Sequence, residues 1–380
     1  MVIHLIHHPV SAKKFVEPMV KLLNSNGIET ELWIENREEL MDFISGIDCP
    51  KSFAKFDITI NPFTLLARLI GLLKRFLKLK PRAIHAHQTR AAFIPLLSAL
   101  IARIPTRIYC NGGTPYLAYR GPLRVLLWLL EFLNCRFATH VITVSHSIRN
   151  KMIQHRIVQK SKCEVLGQGT ACGIDLVEFS AEQFDKQHMI NARQRLGIAL
   201  DKYVVLYVGR PFKRKGFHTL LSAWQCMGSS NSENILLIAG CSNKDVMDAI
   251  PYPTKNMIAL SYVKDLRSCY AACDVVVLPS WHEGFPNSLL EGAAAAKPLV
   301  GSNIPGIDSI IIHNKNGLLV PADDAEALAD ALSVLRDNHD LRKRMGHCGR
   351  QYVEQYFDRK VFNKLLLDYY DRIGIKRCNT

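Results

Sequence analysis

Two cations and two carboxylates stand where their chemistry would converge. Arg210 and Lys215 belong to the run Gly209-Arg210-Pro211-Phe212-Lys213-Arg214-Lys215-Gly216. Glu283 and Glu291 belong to Pro279-Ser280-Trp281-His282-Glu283-Gly284-Phe285-Pro286-Asn287-Ser288-Leu289-Leu290-Glu291. Each run follows a short β-branched stretch (204–208 and 275–278) and leads into a helical pattern. Open parallel sheets bind ligands at the carboxyl ends of their strands. A glycine there lets the backbone approach a ligand, and a helix N-terminus favours an anion. Arg offers a planar two-pronged donor and Lys a point charge, a pairing suited to a diphosphate. The segment lacks the Gly-Lys-Ser/Thr ending of a Walker loop, and a solvated basic turn is the plain alternative. Carboxylates beside such a site are unfavourable unless hydroxyl donors need acceptors, as sugars and riboses do. An ordinary surface role is open to either Glu alone. Their spacing directly after a strand argues against it for the pair.

The elements that must position these residues alternate short β-branched runs with longer helical stretches, which implies parallel sheets with helices on both faces. The first half gives strands over 2–6, 30–34, 83–86, 106–109 and 140–143, and helices over 16–24, 65–79, 91–102 and 123–132. After a polar stretch, 178–195, the pattern restarts. Strands follow over 204–208, 235–239, 275–278 and 299–300, with helices over 217–225, 287–296 and 325–336. The expected α/β architecture has two domains, 1–177 and 178–360. A C-terminal helix in 361–380 would return to the first domain.

Composition bounds the reading. A chain of 380 residues is long for one core, and no apolar run reaches the length of a bilayer crossing. The opening MVIHLIHHPV reads as a first strand rather than a signal peptide. Eleven scattered cysteines, with no second pair at zinc spacing, read as free thiols in a reducing cytosol. The net charge of +14 is uneven: residues 58–163 hold 17 Lys and Arg, and their one acid is Glu131. Anionic lipid, nucleic acid or a phosphorylated substrate would each answer such a face. The stretches 68–82 (RLIGLLKRFLKLKPR) and 123–132 mix apolar and basic residues. They read as sheet-packing helices or as surfaces for anionic lipid.

Residues 203–325 resemble the retaining glycosyltransferases of family 4. The resemblance is carried by VGRPFKRKG, LPSWHEGFPNSLLEGAAAAKPLVGSNIPG and NGLLVPADD, and more weakly by IHAH (84–87), ITVSHSIRN (142–150) and GIDLVEF (173–179). It implies a GT-B fold: two Rossmann-like domains facing across a cleft, the first binding acceptor and the second the donor nucleotide. It implies that Arg210 and Lys215 bind the donor diphosphate and that Glu283 contacts donor-sugar hydroxyls. Glu291 would hold the ribose. Gly209 and the Gly284, Phe285, Pro286 and Asn287 backbone would lie near sugar and phosphates, with Tyr262 and Val263 near the base. It further implies retention of anomeric configuration without a covalent protein intermediate, the leaving phosphate oxygen taking the acceptor's proton. No Asp-x-Asp motif is present, so no metal or other cofactor is expected.

The chain also departs from that pattern. Where many relatives have His-Gly after the strand at 106–109, it has Asn111-Gly112-Gly113. Asn111 can offer a hydrogen bond but no proton, while the glycines suit close approach to a substrate. His85 and His87 are expected to point one into the core and one outward, with His87 the better acceptor-side candidate. Arg149, after Ser145, is a candidate for a phosphate. The expected partners are a nucleotide-sugar, probed first as a uridine diphosphate sugar, and a lipid-linked or oligosaccharide acceptor. The setting would be an anionic membrane surface on the cytoplasmic side, in the assembly of surface polysaccharide such as O-antigen lipopolysaccharide or capsule. Competing readings are an epimerase or hydrolase of sugar nucleotides, and a basic nucleic-acid-binding protein. The last lacks aromatics interleaved with Lys and Arg.

Overall fold

The computed structural model describes residues 1–35, 40–228, 233–250 and 256–375. The chain divides into two compact units. One is Met1–Gly173 with Lys360–Thr380, and the other is Ile174–Arg359.

The first unit is built on a seven-stranded parallel sheet of β1 (Val2–Leu5), β2 (Thr30–Ile34), β3 (Lys51–Phe53), β4 (Ala83–His87), β5 (Thr106–Asn111), β6 (His140–Thr143) and β7 (Cys163–Val165). Its spatial order is β3-β2-β1-β4-β5-β6-β7. Central strands such as VIHL and AIHAH are buried along their whole length, as expected when helices cover both faces. The helices Pro62–Leu79, Thr89–Ile101 and Gly121–Phe137 pack side by side. Asn61 caps the first of them, its side chain accepting from the Phe63 and Thr64 amides.

The second unit holds a six-stranded parallel sheet of β8 (Tyr203–Val208), β9 (Asn234–Ala239), β10 (Met257–Leu260), β11 (Val275–Leu278), β12 (Leu299–Ser302) and β13 (Gly317–Val320). Its order is β10-β9-β8-β11-β12-β13. The order reverses between β8 and β11, the point where an open α/β sheet accepts a ligand. The two runs singled out by their charges follow these two strands.

The polar stretch 178–195 carries a helix of the second unit, Lys186–Arg195. Its Arg193 is buried, donating to the Ala272 and Lys202 carbonyls and pairing with Asp274 at 2.8 Å. An Arg spent on carbonyls and one carboxylate looks polar in sequence and is interior in space. The division falls after Gly173, short of residue 177. The final helix, Arg359–Arg372, belongs to the first unit from Lys360 onward. Its Phe362, Leu366, Tyr369 and Tyr370 join a core with Val2, Leu23, Ala83, Ile108 and Ile142.

Candidate active site

Gly216 sits at φ 67°, in the left-handed region, and a side chain there would run into the Pro279 carbonyl. This close approach lays the loop after β8 on the end of β11. Two further contacts fix it: the Trp281 amide donates to the Arg214 carbonyl (2.9 Å), and Lys215 Nζ donates to Glu283 Oε1 (2.6 Å). Glu283 is 8% exposed and Lys215 21%, so the pair is partly withdrawn from water. Gly306, at φ 94°, lets the loop after β12 press on the Gly284 carbonyl from the other side. At both glycines the first atom a side chain would meet is a backbone carbonyl oxygen, so the loops approach each other closely.

Arg210 is exposed at the mouth of the same loop, its guanidinium 4.8 Å from the centre of the Phe212 ring. Gly209 continues β8 by donating its amide to the Ala239 carbonyl (3.0 Å). Glu291 lies on the Asn287–Ala294 helix and is 8% exposed. The Tyr270 hydroxyl donates to its Oε2 at 2.9 Å and to the Ser288 carbonyl at 3.0 Å. Tyr270 is fully buried, and burial, then the Glu291 charge, push its phenol well above the ordinary range. Sequence reading missed Tyr270, because its partner is set by packing. Pro286 holds the N-cap position of this helix, without a side-chain bond. Phe285 turns its ring against Phe357 (5.4 Å), leaving its backbone for the loop. Tyr262 is 73% exposed and Val263 partly so, in the loop after β10.

In the first unit three expectations change. His85 and His87 do not point to opposite sides, since residues two apart on a strand share a face. Both are buried, their rings stack at 4.3 Å, and His4 Nδ1 lies 3.1 Å from His87 Nε2. The Tyr370 hydroxyl joins His4 Nε2 (3.0 Å) and His85 Nδ1 (2.9 Å). Burial holds all three imidazoles below their usual range, His87 at about 3. His87 is thus a core residue. Arg149 is also committed elsewhere: Nε donates to the Cys163 carbonyl (2.7 Å) and Nη2 to the Lys160 carbonyl (3.2 Å), bracing the loop before β7.

Asn111 is fully buried, not presented to a ligand. Its Nδ2 donates to Glu131 Oε1 (2.9 Å), and its Oδ1 accepts from the Gly113 amide (3.0 Å). Thr89 and Tyr109 hydroxyls donate to the same carboxylate at 2.6 and 2.7 Å. Burial lifts Glu131 to about 7 despite these three donors. Asn134, one turn on, donates to the Thr89 carbonyl (2.8 Å). One helix therefore clamps the turns after β4 and β5. Gly112 alone of its segment opens to solvent, with nothing near where a side chain would stand. The signal for Glu131 was in the sequence, as the one acid among 17 cations.

The ten cysteines within the described residues are free thiols. Burial pushes several of them up, Cys110 and Cys273 to about 12, which makes them inert at neutral pH.

With this geometry in place, comparisons with known proteins identify the scaffold. The family described as Glycosyltransferase Family 4 matches residues 14–172, and that described as Glycosyl transferases group 1 matches 189–352. The chain is 27% identical to the Staphylococcus aureus capsular polysaccharide biosynthesis glycosyltransferase CapM, over 94% of each protein. It is 25% identical to a Campylobacter jejuni N,N'-diacetylbacillosaminyl-diphospho-undecaprenol alpha-1,3-N-acetylgalactosaminyltransferase, covering 97% of this chain and 98% of that one. The fold matches that of Anabaena HepE, crystallised with UDP and glucose, with a TM-score of 0.80 at 16% identity over 97% and 99% of the two chains. The chain belongs to the family 4-like glycosyltransferases of the GT-B fold.

Proposed function

We propose that this glycosyltransferase moves a sugar, with retention, from a uridine diphosphate donor to a lipid-linked or glycan acceptor. The setting is the cytoplasmic membrane face, in bacterial surface polysaccharide assembly. The observation that carries the reading is the Lys215–Glu283 contact at 2.6 Å, which joins the loops after β8 and β11 at the switch point of the second sheet. Lys215 and Arg210 face the diphosphate and stabilise the charge that grows on it as the sugar departs, in the preorganised manner that serves catalysis best. Glu283, with Lys215 beside it, accepts from donor-sugar hydroxyls. Glu291, oriented by Tyr270, accepts from the ribose. The amides of Gly284 to Asn287 approach sugar and phosphate, and Tyr262 and Val263 meet the base. With two cations on the leaving group, a divalent metal is dispensable.

The acceptor is assigned to the first unit, at the turn that opens to solvent at Gly112. The Campylobacter relative and an Escherichia coli alpha-1,3-galactosyltransferase, 23% identical over 80% of this chain, are named for diphosphoundecaprenol-linked acceptors. No described helix is long and apolar enough to cross a membrane. Attachment is instead peripheral, through the basic face of the first unit and not to nucleic acid. Leu66 and Ile70 on one helix and Val125, Leu126 and Leu129 on another are exposed there.

A calorimetric screen of nucleoside diphosphates and their sugars tests the donor assignment, and labelled-donor product analysis tests the reaction. Transfer of label to a polyprenyl-diphosphate-sugar acceptor supports the reading. Free sugar or an isomerised donor as the sole product replaces it with hydrolysis or epimerisation.

A further inference from the structure

The first unit carries a second electropositive feature that the transferase chemistry does not use. A groove of about 740 Å³ lies where the end of the Gly121–Phe137 helix meets the segment from Ile153 to Lys162. Arg136, Arg156, Lys160 and Lys162 line it, Phe132 and Ile157 give it an apolar wall, and no lining residue is acidic. The Lys162 ammonium is held below its ordinary range, first by burial and also by repulsion from Arg136 and Arg107. Arg136, Arg156 and Lys160 are exposed around the partly buried Lys162, and four like charges so gathered attract an anion. The site is also amphiphilic. Leu129, Phe132 and Arg136 follow one another at helical spacing on the same helix. They continue into the groove the exposed face that Val125 and Leu129 begin.

We propose that this groove binds the phosphate headgroup of an anionic membrane lipid, with the acyl chain lying along the exposed row of the Gly121–Phe137 helix. The cations match the phosphate and the apolar wall matches the glycerol and chain. A soluble phosphate would use only the first. The assignment rests on the proposed membrane attachment and is independent of the donor chemistry.

The test compares the full chain with the Arg136→Gln/Lys162→Gln variant in flotation with phosphatidylcholine vesicles and with equimolar phosphatidylcholine–phosphatidylglycerol vesicles. A Lys55→Gln/Arg103→Gln variant removes the same charge from exposed positions outside the groove. The wild type is expected to float with the anionic vesicles only. The groove variant should lose about tenfold or more in partition, the control variant far less, and all three should keep the same UDP affinity. Equal losses in the two variants, or none in either while the wild type floats, overturn the groove and leave membrane attachment standing. A wild type that does not float overturns both. Stabilisation of the wild type but not the groove variant by millimolar inorganic phosphate in a thermal melt assigns the groove to a free anion instead.

Discussion

Lys215 and Glu283 hold each other at 2.6 Å, so the diphosphate proposed above would share an ammonium that is already paired. Arg210, resting on Phe212, brings the second positive charge to the loop. Removing it exposes the growing negative charge of the leaving group. Arg210→Ala should lower turnover on the order of 10²-fold or more, and steady-state kinetics showing near-normal turnover would take Arg210 out of the mechanism. Glu291→Gln should weaken nucleotide binding with the fold retained. Tyr270→Phe should do so more mildly, by about tenfold, since it removes one hydrogen bond to a charged acceptor. Calorimetry that finds the same UDP affinity in both variants and the wild type rules out the ribose role. Arg210, Lys215, Glu283 and Glu291 were legible as candidates, because charge type and spacing are written in the chain. Tyr270 was not, since a phenol becomes functional only through what it packs against.

The loops that carry these residues depend on two glycines more than on any side chain. Gly216→Ala adds a methyl at φ 67° and drives it toward the Pro279 carbonyl. The loops after β8 and β11 must then part, which is expected to cost about 2 kcal/mol or more and to abolish the Lys215–Glu283 contact. Thermal melts and UDP calorimetry check this: a variant of unchanged melting temperature and affinity would mean the two loops are joined by something else. The four strands that the sequence pattern did not yield, β3, β7, β10 and β13, are the four edges of the two sheets. Edge strands are half exposed and lack the continuous apolar run of a central strand; every residue of β10 is only partly buried, whereas β11 is buried throughout. The misplacement of His87 came from a different source. Two residues apart on a strand means one face, and that face of β4 is roofed by the C-terminal helix through Tyr370.

At the scale of the whole chain, that roof makes the first unit sensitive to acid. His4, His85 and His87 are neutral when folded and titrate near 6.5 when unfolded. The unfolded chain binds more protons as pH falls below about 6.5, so their contribution, present above that value, is lost on acidification. Glu131 acts oppositely. Raised to about 7, it binds a proton in the folded chain before the unfolded chain does, so its contribution grows as pH falls from about 7 and is fully present below the lower unfolded value. Three groups against one leave a net difference of about two protons near pH 5.5, a loss of about 2.5 kcal/mol per pH unit. Hydrogen exchange of the full chain at pH 7.5 and 5.5 should find the first unit, including the C-terminal helix, opening more readily at the lower pH. Equal protection at both would show that the imidazoles are not buried neutral.

The chain by itself determined the two α/β halves, the central strands and the charged loops that follow β8 and β11. Each of these is a local matter of apolar runs, glycine placement and residue type. Tertiary structure alone decided which polar groups face a ligand and which are spent inside. Asn111, Arg149 and His87 carry chemistry suited to a site, yet each meets a buried partner contributed by a distant segment: Glu131, the Cys163 carbonyl, and His4. A polar side chain denied water must find its hydrogen bonds within the protein, and only the folded arrangement sets which bonds are within reach.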